Sequence, residues 1–153
     1  MNGTVASICI SPTAGEAMQY VDNVRAIAGA GLEGDRYAAG EGSFNKGRKG
    51  RRQVTLINNI FFAGSGFTHV ESRRNIAVKG VELMWLIGRD FQIGEAIFRG
   101  VTYCDPCLRP SKLARKNESF QRAFFDCGGL VAEVIQDGLV KVKDAVIPPP
   151  KGY

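Results

Sequence analysis

Short runs of β-branched and apolar residues, each of strand length and set apart by glycine, give this chain its texture. Residues 4–10, 24–28 and 53–57 are such runs, and residues 75–79 alternate cleanly between apolar and polar positions. Phe91, Ile93, Ile97 and Val101 mark a longer β stretch in which Gly94 and Gly100 suggest bends or bulges. Residues 130–135 and 139–143 flank Asp137-Gly138, a two-residue hairpin signature. Helical periodicity is scarce. Asn117 is placed to cap a segment carrying Phe120 and Phe124 at i, i+4, with Gly128 as its stop, and residues 83–87 suit a single turn. Many short strands without β–α alternation predict a mostly β, single-domain, partly closed β-barrel with a few short helices.

Composition narrows the class. The 153 residues fit one domain over positions 1–147, followed by a Pro-rich tail at 148–153. Nineteen glycines favour turns and bulges over long helices. No charged residue precedes the short apolar run at the N-terminus, which argues against a signal peptide. The longest uncharged window, 53–70, is broken by Asn58, Asn59, Ser65 and Thr68 and is too polar to span a bilayer. Four cysteines do not make a disulfide scaffold, so a cytoplasmic location is expected.

Charge is concentrated. The chain has 20 Lys+Arg against 15 Asp+Glu, and five of the cations (Lys46, Arg48, Lys49, Arg51 and Arg52) lie between positions 46 and 52 with no anion among them. The remainder is balanced. A neutral domain with one basic loop does not look like a coat for nucleic acid. A β-barrel module using that loop on phosphates stays as an alternative, although no aromatic run lies beside it to stack bases.

Two phosphate-binding patterns fail on context. Gly29-Ala-Gly31-Leu-Glu-Gly34 follows a predicted strand, but no helical period comes after it, and Lys49 to Arg52 occupy the place of the ribose-binding acid. Residues 42–49 approach a phosphate loop, yet Arg48-Lys49 stands where Lys-Ser/Thr is needed.

Cys104-Asp-Pro-Cys107 is sharper. Two thiols at this spacing can be inert packing groups, a metal site, or a reactive pair. A helical turn starting after Cys107, with Arg109 and Lys112 near, would favour a thiolate. Structural zinc would have to recruit Cys127 and His69. Cys9 and Cys127, beside apolar residues, read as packing thiols, His69 as an ordinary loop or surface residue, and Trp85 as core. At the mouth of a predicted strand, alternation sends Arg73 and Asn75 to one face and Arg74 to the other. A guanidinium and an amide on one face form a fork for an anionic or amide-rich ligand. Asp35-Arg36 occupies the Gly-rich turn after the second strand.

An ordered set of segments carries a family resemblance. It comprises Gly31-Leu-Glu-Gly-Asp-Arg-Tyr37, Arg52-Gln-Val-Thr-Leu-Ile57, Arg73-Arg-Asn-Ile76 with Gly80-Val-Glu-Leu83, Gly88-Arg-Asp-Phe-Gln-Ile-Gly94, Cys104-Asp-Pro-Cys107, and Gly129-Leu130 leading to Asp137-Gly138. Over residues 24–146 the chain resembles the MOSC domain, the module related to the C-terminal part of molybdenum-cofactor sulfurases. The resemblance implies a β-barrel with a pocket for molybdenum cofactor (molybdopterin), or a sulfur-carrier role. It makes Cys107 the thiol that carries a persulfide or ligates molybdenum, with Cys104 its companion. It places Asp35, Arg36, Arg52, Arg73 and Asn75 around the anionic pterin. No pyridoxal phosphate domain is expected here, so a sulfur donor such as a cysteine desulfurase, or an electron-transfer protein, would be a separate partner. Some relatives reduce N-hydroxylated compounds with such partners, and the resemblance extends that activity to this chain as an expectation.

Overall fold

The computed structural model describes residues 2–42 and 50–150. Lys46, Arg48 and Lys49 of the basic loop, and the end of the Pro-rich tail, lie outside the described residues.

Strands β1 (Gly3–Ile10), β5 (Val54–Asn58), β6 (Ile76–Lys79), β7 (Asp90–Ile93), β8 (Ala96–Tyr103), β9 (Leu130–Gln136) and β11 (Ala145–Ile147) form one sheet in the order β11-β7-β8-β9-β5-β6-β1. Pairing of β1 with β11, Gly3 opposite Val146 and Thr4 opposite Ala145, joins its ends. The barrel is therefore closed, further than the partly closed form expected, and its seven strands keep no free edge. Strand β2 (Gln19–Val21) adds to β1, and β3 (Asn23–Ile27), β4 (Gly31–Leu32) and β10 (Gly138–Lys141) make a separate three-stranded sheet.

Period-two alternation explains two apolar layers. Leu56, Ile76 and Val78 belong to the large cluster with Val5, Phe98 and Leu130. Their neighbours Ile57 and Ala77 belong to a second cluster with Phe67, Phe120 and Phe124. One strand thus fills the barrel with one face and seats the helical additions with the other. Phe120 and Phe124 stack at 4.4 Å, each fully buried.

Three differences from the sequence expectations have physical causes. The Asp137-Gly138 pair does not close a hairpin, because β10 pairs with β3 instead of β9. Gly138 passes so close to the backbone at Glu95–Ala96 that a Cβ would lie 2.3 Å from the Glu95 carbonyl carbon. Asp137 accepts from the Ala28 amide at 2.6 Å, fixing the crossing to the second sheet. The long β stretch of 91–101 is a hairpin, β7 and β8 joined at Gly94–Glu95, while Gly100 does sit at a register shift. Helix α3 (Phe120–Ala123) is capped by Ser119, whose hydroxyl accepts from the Arg122 amide, and not by Asn117.

Strands β5 and β6 are parallel, which requires a crossover. Residues 59–75 supply it through a 3-10 turn (Asn59–Phe62) and helix α1 (His69–Ser72). Helix α2 (Arg109–Leu113) follows the cysteine pair. Among the described residues no helix is long and apolar enough to cross a membrane.

Candidate functional site

Five stretches converge on one cleft: Ala14 and Gly15 after β1, Arg36 and Tyr37 after β4, Arg52 before β5, Arg73 and Arg74 between α1 and β6, and residues 105–110 after β8. Among the described residues its lining holds Arg36, Arg52, Arg73, Arg74 and Arg109, Cys107, and a single acidic residue, Asp105. The cleft is partly open to solvent, and the volume it encloses is small, about 30 Å³.

Each arginine is held differently. Arg36 donates to the fully buried Asp35 at 3.0 Å and to the Arg73 carbonyl at 3.3 Å. Asp35 also accepts from the Ser11 and Tyr37 amides. It is a positioning residue behind the cleft, not part of its lining. Arg52 donates to the Tyr37 hydroxyl at 2.9 Å and to Cys104 Sγ at 3.5 Å. Burial works against its charge, but Cys104 and Tyr37 outweigh that and raise its pKa.

Arg73 caps α1 in the left-handed conformation, with φ 65° and its amide bonded to Val70. A residue with a Cβ pays about 1–2 kcal/mol there, a strain the surrounding bonds must hold in place. One Arg73 nitrogen donates to the Glu16 carbonyl. Burial, then the like charges of Arg36 and Arg109, push its pKa down to about 10. The guanidinium stays charged at neutral pH in a place already crowded with cations. Such a place favours an anion.

Arg74 anchors the thiol loop. Its Nε donates to Gly128 at 2.7 Å, and its terminal nitrogens reach the carbonyls of Ser72, Cys104 and Asp105 at 3.3–3.5 Å. Gly128 completes the anchor, since a Cβ there would lie 2.2 Å from the Cys104 oxygen and 2.9 Å from the Pro106 ring.

The two cysteines differ in setting. Cys104 is fully buried against Arg52, whereas Cys107 is half-buried and opens onto the cleft. The helical turn expected after Cys107 is present as α2, with Leu108 as its N-cap. The zinc arrangement is not assembled: among the described residues no three His, Cys, Asp or Glu groups are placed to hold a metal ion. Of the basic loop, Arg51 pairs with Glu133 at 3.2 Å on an exposed surface, and Arg52 turns into the cleft.

Asn75 is not on the cleft. Strand alternation begins only at Ile76, because Arg73 still belongs to the helix cap, so the expected pairing of Arg73 and Asn75 on one face does not occur. The fully buried Asn75 accepts from Thr55 N at 3.0 Å and Thr55 Oγ1 at 3.2 Å, and donates to the Cys9 carbonyl at 3.1 Å. It ties β6 to β5 and β1. Tyr37, Arg74 and Arg109 are the cleft residues not assigned to ligand from sequence. Tyr37 ends the Gly31–Tyr37 segment, Arg74 lies within Arg73–Ile76, and Arg109 is marked in the sequence only as a cation near Cys107.

His69 is buried, not the surface residue expected. Its Nε2 donates to the Arg74 carbonyl at 2.8 Å, so Nδ1 is left to accept from Ser7 Oγ at 2.6 Å. Cys9 Sγ lies 3.6 Å from the same nitrogen. Burial pushes His69 down to about 4 and the Cys9 thiol up to about 12, so both are neutral at pH 7. With its folded pKa below the usual 6.5, the unfolded chain binds more protons between pH 6.5 and 4. Stability should therefore be unaffected by His69 above pH 6.5 and fall by roughly 3 kcal/mol as pH drops to 4. Urea unfolding of wild type and His69→Gln across this range checks it, and the variant should lose that part of the slope.

Fold and cleft together define a closed β-barrel carrying an arginine-lined cleft with a thiol in its lining. The model of the MOSC domain matches residues 59–147, more than half the chain, and the chain belongs to the MOSC domain family, which is associated with the molybdenum cofactor. No curated protein matches significantly. Solved structures with the same fold include the YuaD protein from Bacillus subtilis (20% identity, TM-score 0.76, covering 95% of this chain and 94% of that one). YiiM from Escherichia coli is similar at 17% identity and TM-score 0.69, covering 99% of this chain and 71% of that one. YiiM from Geobacillus stearothermophilus is similar at 15% identity and TM-score 0.72, covering 99% and 77%. At these identities the likeness speaks for the fold alone. The residues present suit the family's cofactor by chemistry: guanidinium groups for its phosphate and one accessible thiol, a soft ligand suited to molybdenum.

Proposed function

We propose that the cleft binds the anionic molybdenum cofactor, and that Cys107 carries sulfane sulfur to it or ligates its metal. The observation behind this reading is that the half-buried Cys107 thiol opens onto a cleft lined by five arginines and one carboxylate. Arg73 and Arg109, with Arg36 and Arg52 beside them, hold the phosphate and orient the pterin. Asp35 fixes the direction of Arg36, and Arg74 fixes the backbone that presents Cys107. When bound, the cofactor supplies the redox chemistry at molybdenum. A cysteine desulfurase would be the sulfur donor, or an electron-transfer protein the partner if the complex reduces N-hydroxylated compounds.

Metal, pterin and cyanide-releasable sulfur are to be measured in wild type and Cys107→Ala purified from a cofactor-producing host. Wild type is expected to contain molybdenum and pterin or sulfane sulfur, and Cys107→Ala to lose the sulfur and most of the metal. Equal contents in the two proteins, or none in wild type, would overturn the assignment.

A further inference from the structure

Arg52 gives the buried cysteine a role that the accessible one cannot fill. Cys104 Sγ is fully enclosed, and among the described residues a guanidinium nitrogen of Arg52, which also lines the cleft, lies 3.5 Å from it. A buried packing thiol needs no such neighbour. Cys9 in the same protein packs among neutral groups instead, with its pKa raised to about 12 by burial. Only two residues separate Cys104 from Cys107, and Gly128 packs directly against Cys104 and Pro106. A C-x-x-C pair placed this way is suited to exchange within one chain.

We propose, resting on the sulfur-carrier reading of Cys107, that Cys104 is the resolving thiol that discharges sulfane sulfur from Cys107 into the arginine-lined cleft. In this step the Cys104 sulfur attacks the Cys107 sulfur of the persulfide. A Cys104–Cys107 disulfide bond forms and the bond from Cys107 to the sulfane sulfur breaks. The electron pair of that bond leaves with the sulfane sulfur. With the persulfide written as its anion, the proton of Cys104 ends on the departing sulfur, giving hydrosulfide. The Cys104 sulfur is oxidised and the departing sulfur is reduced, while the Cys107 sulfur stays at its disulfide level. Arg52 stands where charge develops on Cys104, and Arg73 and Arg109 face the space into which the hydrosulfide anion departs. A dithiol reductant must reopen the disulfide before the next cycle.

The test uses the full chain, fully reduced, with a cysteine desulfurase and radiolabelled cysteine, followed by alkylation and mass spectrometry of the peptide spanning the two cysteines. Wild type should release labelled hydrosulfide and accumulate the internal disulfide. Cys104→Ser should hold the label on Cys107 and lose both products, and Cys104→Ala should behave alike if serine in the buried position perturbs folding. Release from both variants as fast as from wild type, or a label held equally by wild type and variants with no disulfide, overturns the resolving role alone. No label on Cys107 even in the Cys104 variants overturns the sulfur-carrier reading as well.

Discussion

Arg74→Leu should destabilise the protein by about 3–5 kcal/mol, the usual range when one partner of a buried charged network is removed. The side chain is 4% exposed, so the loss is not repaired by water. Its removal leaves the carbonyls of Gly128, Cys104 and Asp105, at the loop that presents the thiols, and of Ser72, at the end of α1, short of a donor. Leucine keeps apolar contact with the Phe120 ring, over which the guanidinium sits at 5.4 Å, so the comparison isolates the polar part. Arg74→Lys should recover only part of the loss, since an ammonium cannot span four acceptors with the geometry of a planar fork. Urea midpoints give the stability. Reaction of Cys104 with a thiol reagent gives the local consequence: nearly protected in wild type, and modified readily once the loop detaches.

The anchoring role of Arg74 depends on acceptors far away in the chain, Gly128, Cys104 and Asp105, which no local pattern announces. Runs of β-branched residues between glycines express a local preference, and residues 4–10, 24–28 and 53–57 indeed became β1, β3 and β5. The barrel and the C-x-x-C motif were legible for the same reason: both are written in adjacent residues. Long-range choices were not. Asp137-Gly138 has the chemistry of a tight turn, but the crowding at Glu95 and the Ala28 amide, more than forty and one hundred positions away, decided its use. Arg73 reads as the first residue of an alternating strand only if its φ is extended. The α1 cap places it in the left-handed region, which shifts the register by which Arg73, Arg74 and Asn75 would be sorted. His69 looked ordinary because nothing near it in sequence announces Ser7 or Cys9, both supplied by β1.

That register error makes a pair of substitutions decisive. Arg73 and Asn75 were grouped as one ligand-binding fork, and the structure separates their work into binding and folding. Arg73→Asn is the suitable change at the first position, because asparagine tolerates the left-handed backbone that alanine would strain. It removes one charged donor from the cleft, which should weaken binding of inorganic phosphate by roughly ten- to a hundredfold, the worth of one charge-assisted hydrogen bond. Stability should hold or rise, since Arg73 is both desolvated and repelled by Arg36 and Arg109 in the free protein. Asn75→Ala should do the reverse. It strips Thr55 N and the Cys9 carbonyl of their buried partner, at a cost of about 2–4 kcal/mol across the β1–β6–β5 seam. Phosphate titration by calorimetry and urea unfolding of both variants measure the two effects side by side. If Asn75→Ala lost phosphate affinity while keeping its stability, the amide would belong to the ligand after all and the buried geometry would be wrong. If Arg73→Asn lost stability while the folded variant bound phosphate as tightly as wild type, the crowded cations would be a structural device and the anion cleft would lose its strongest support.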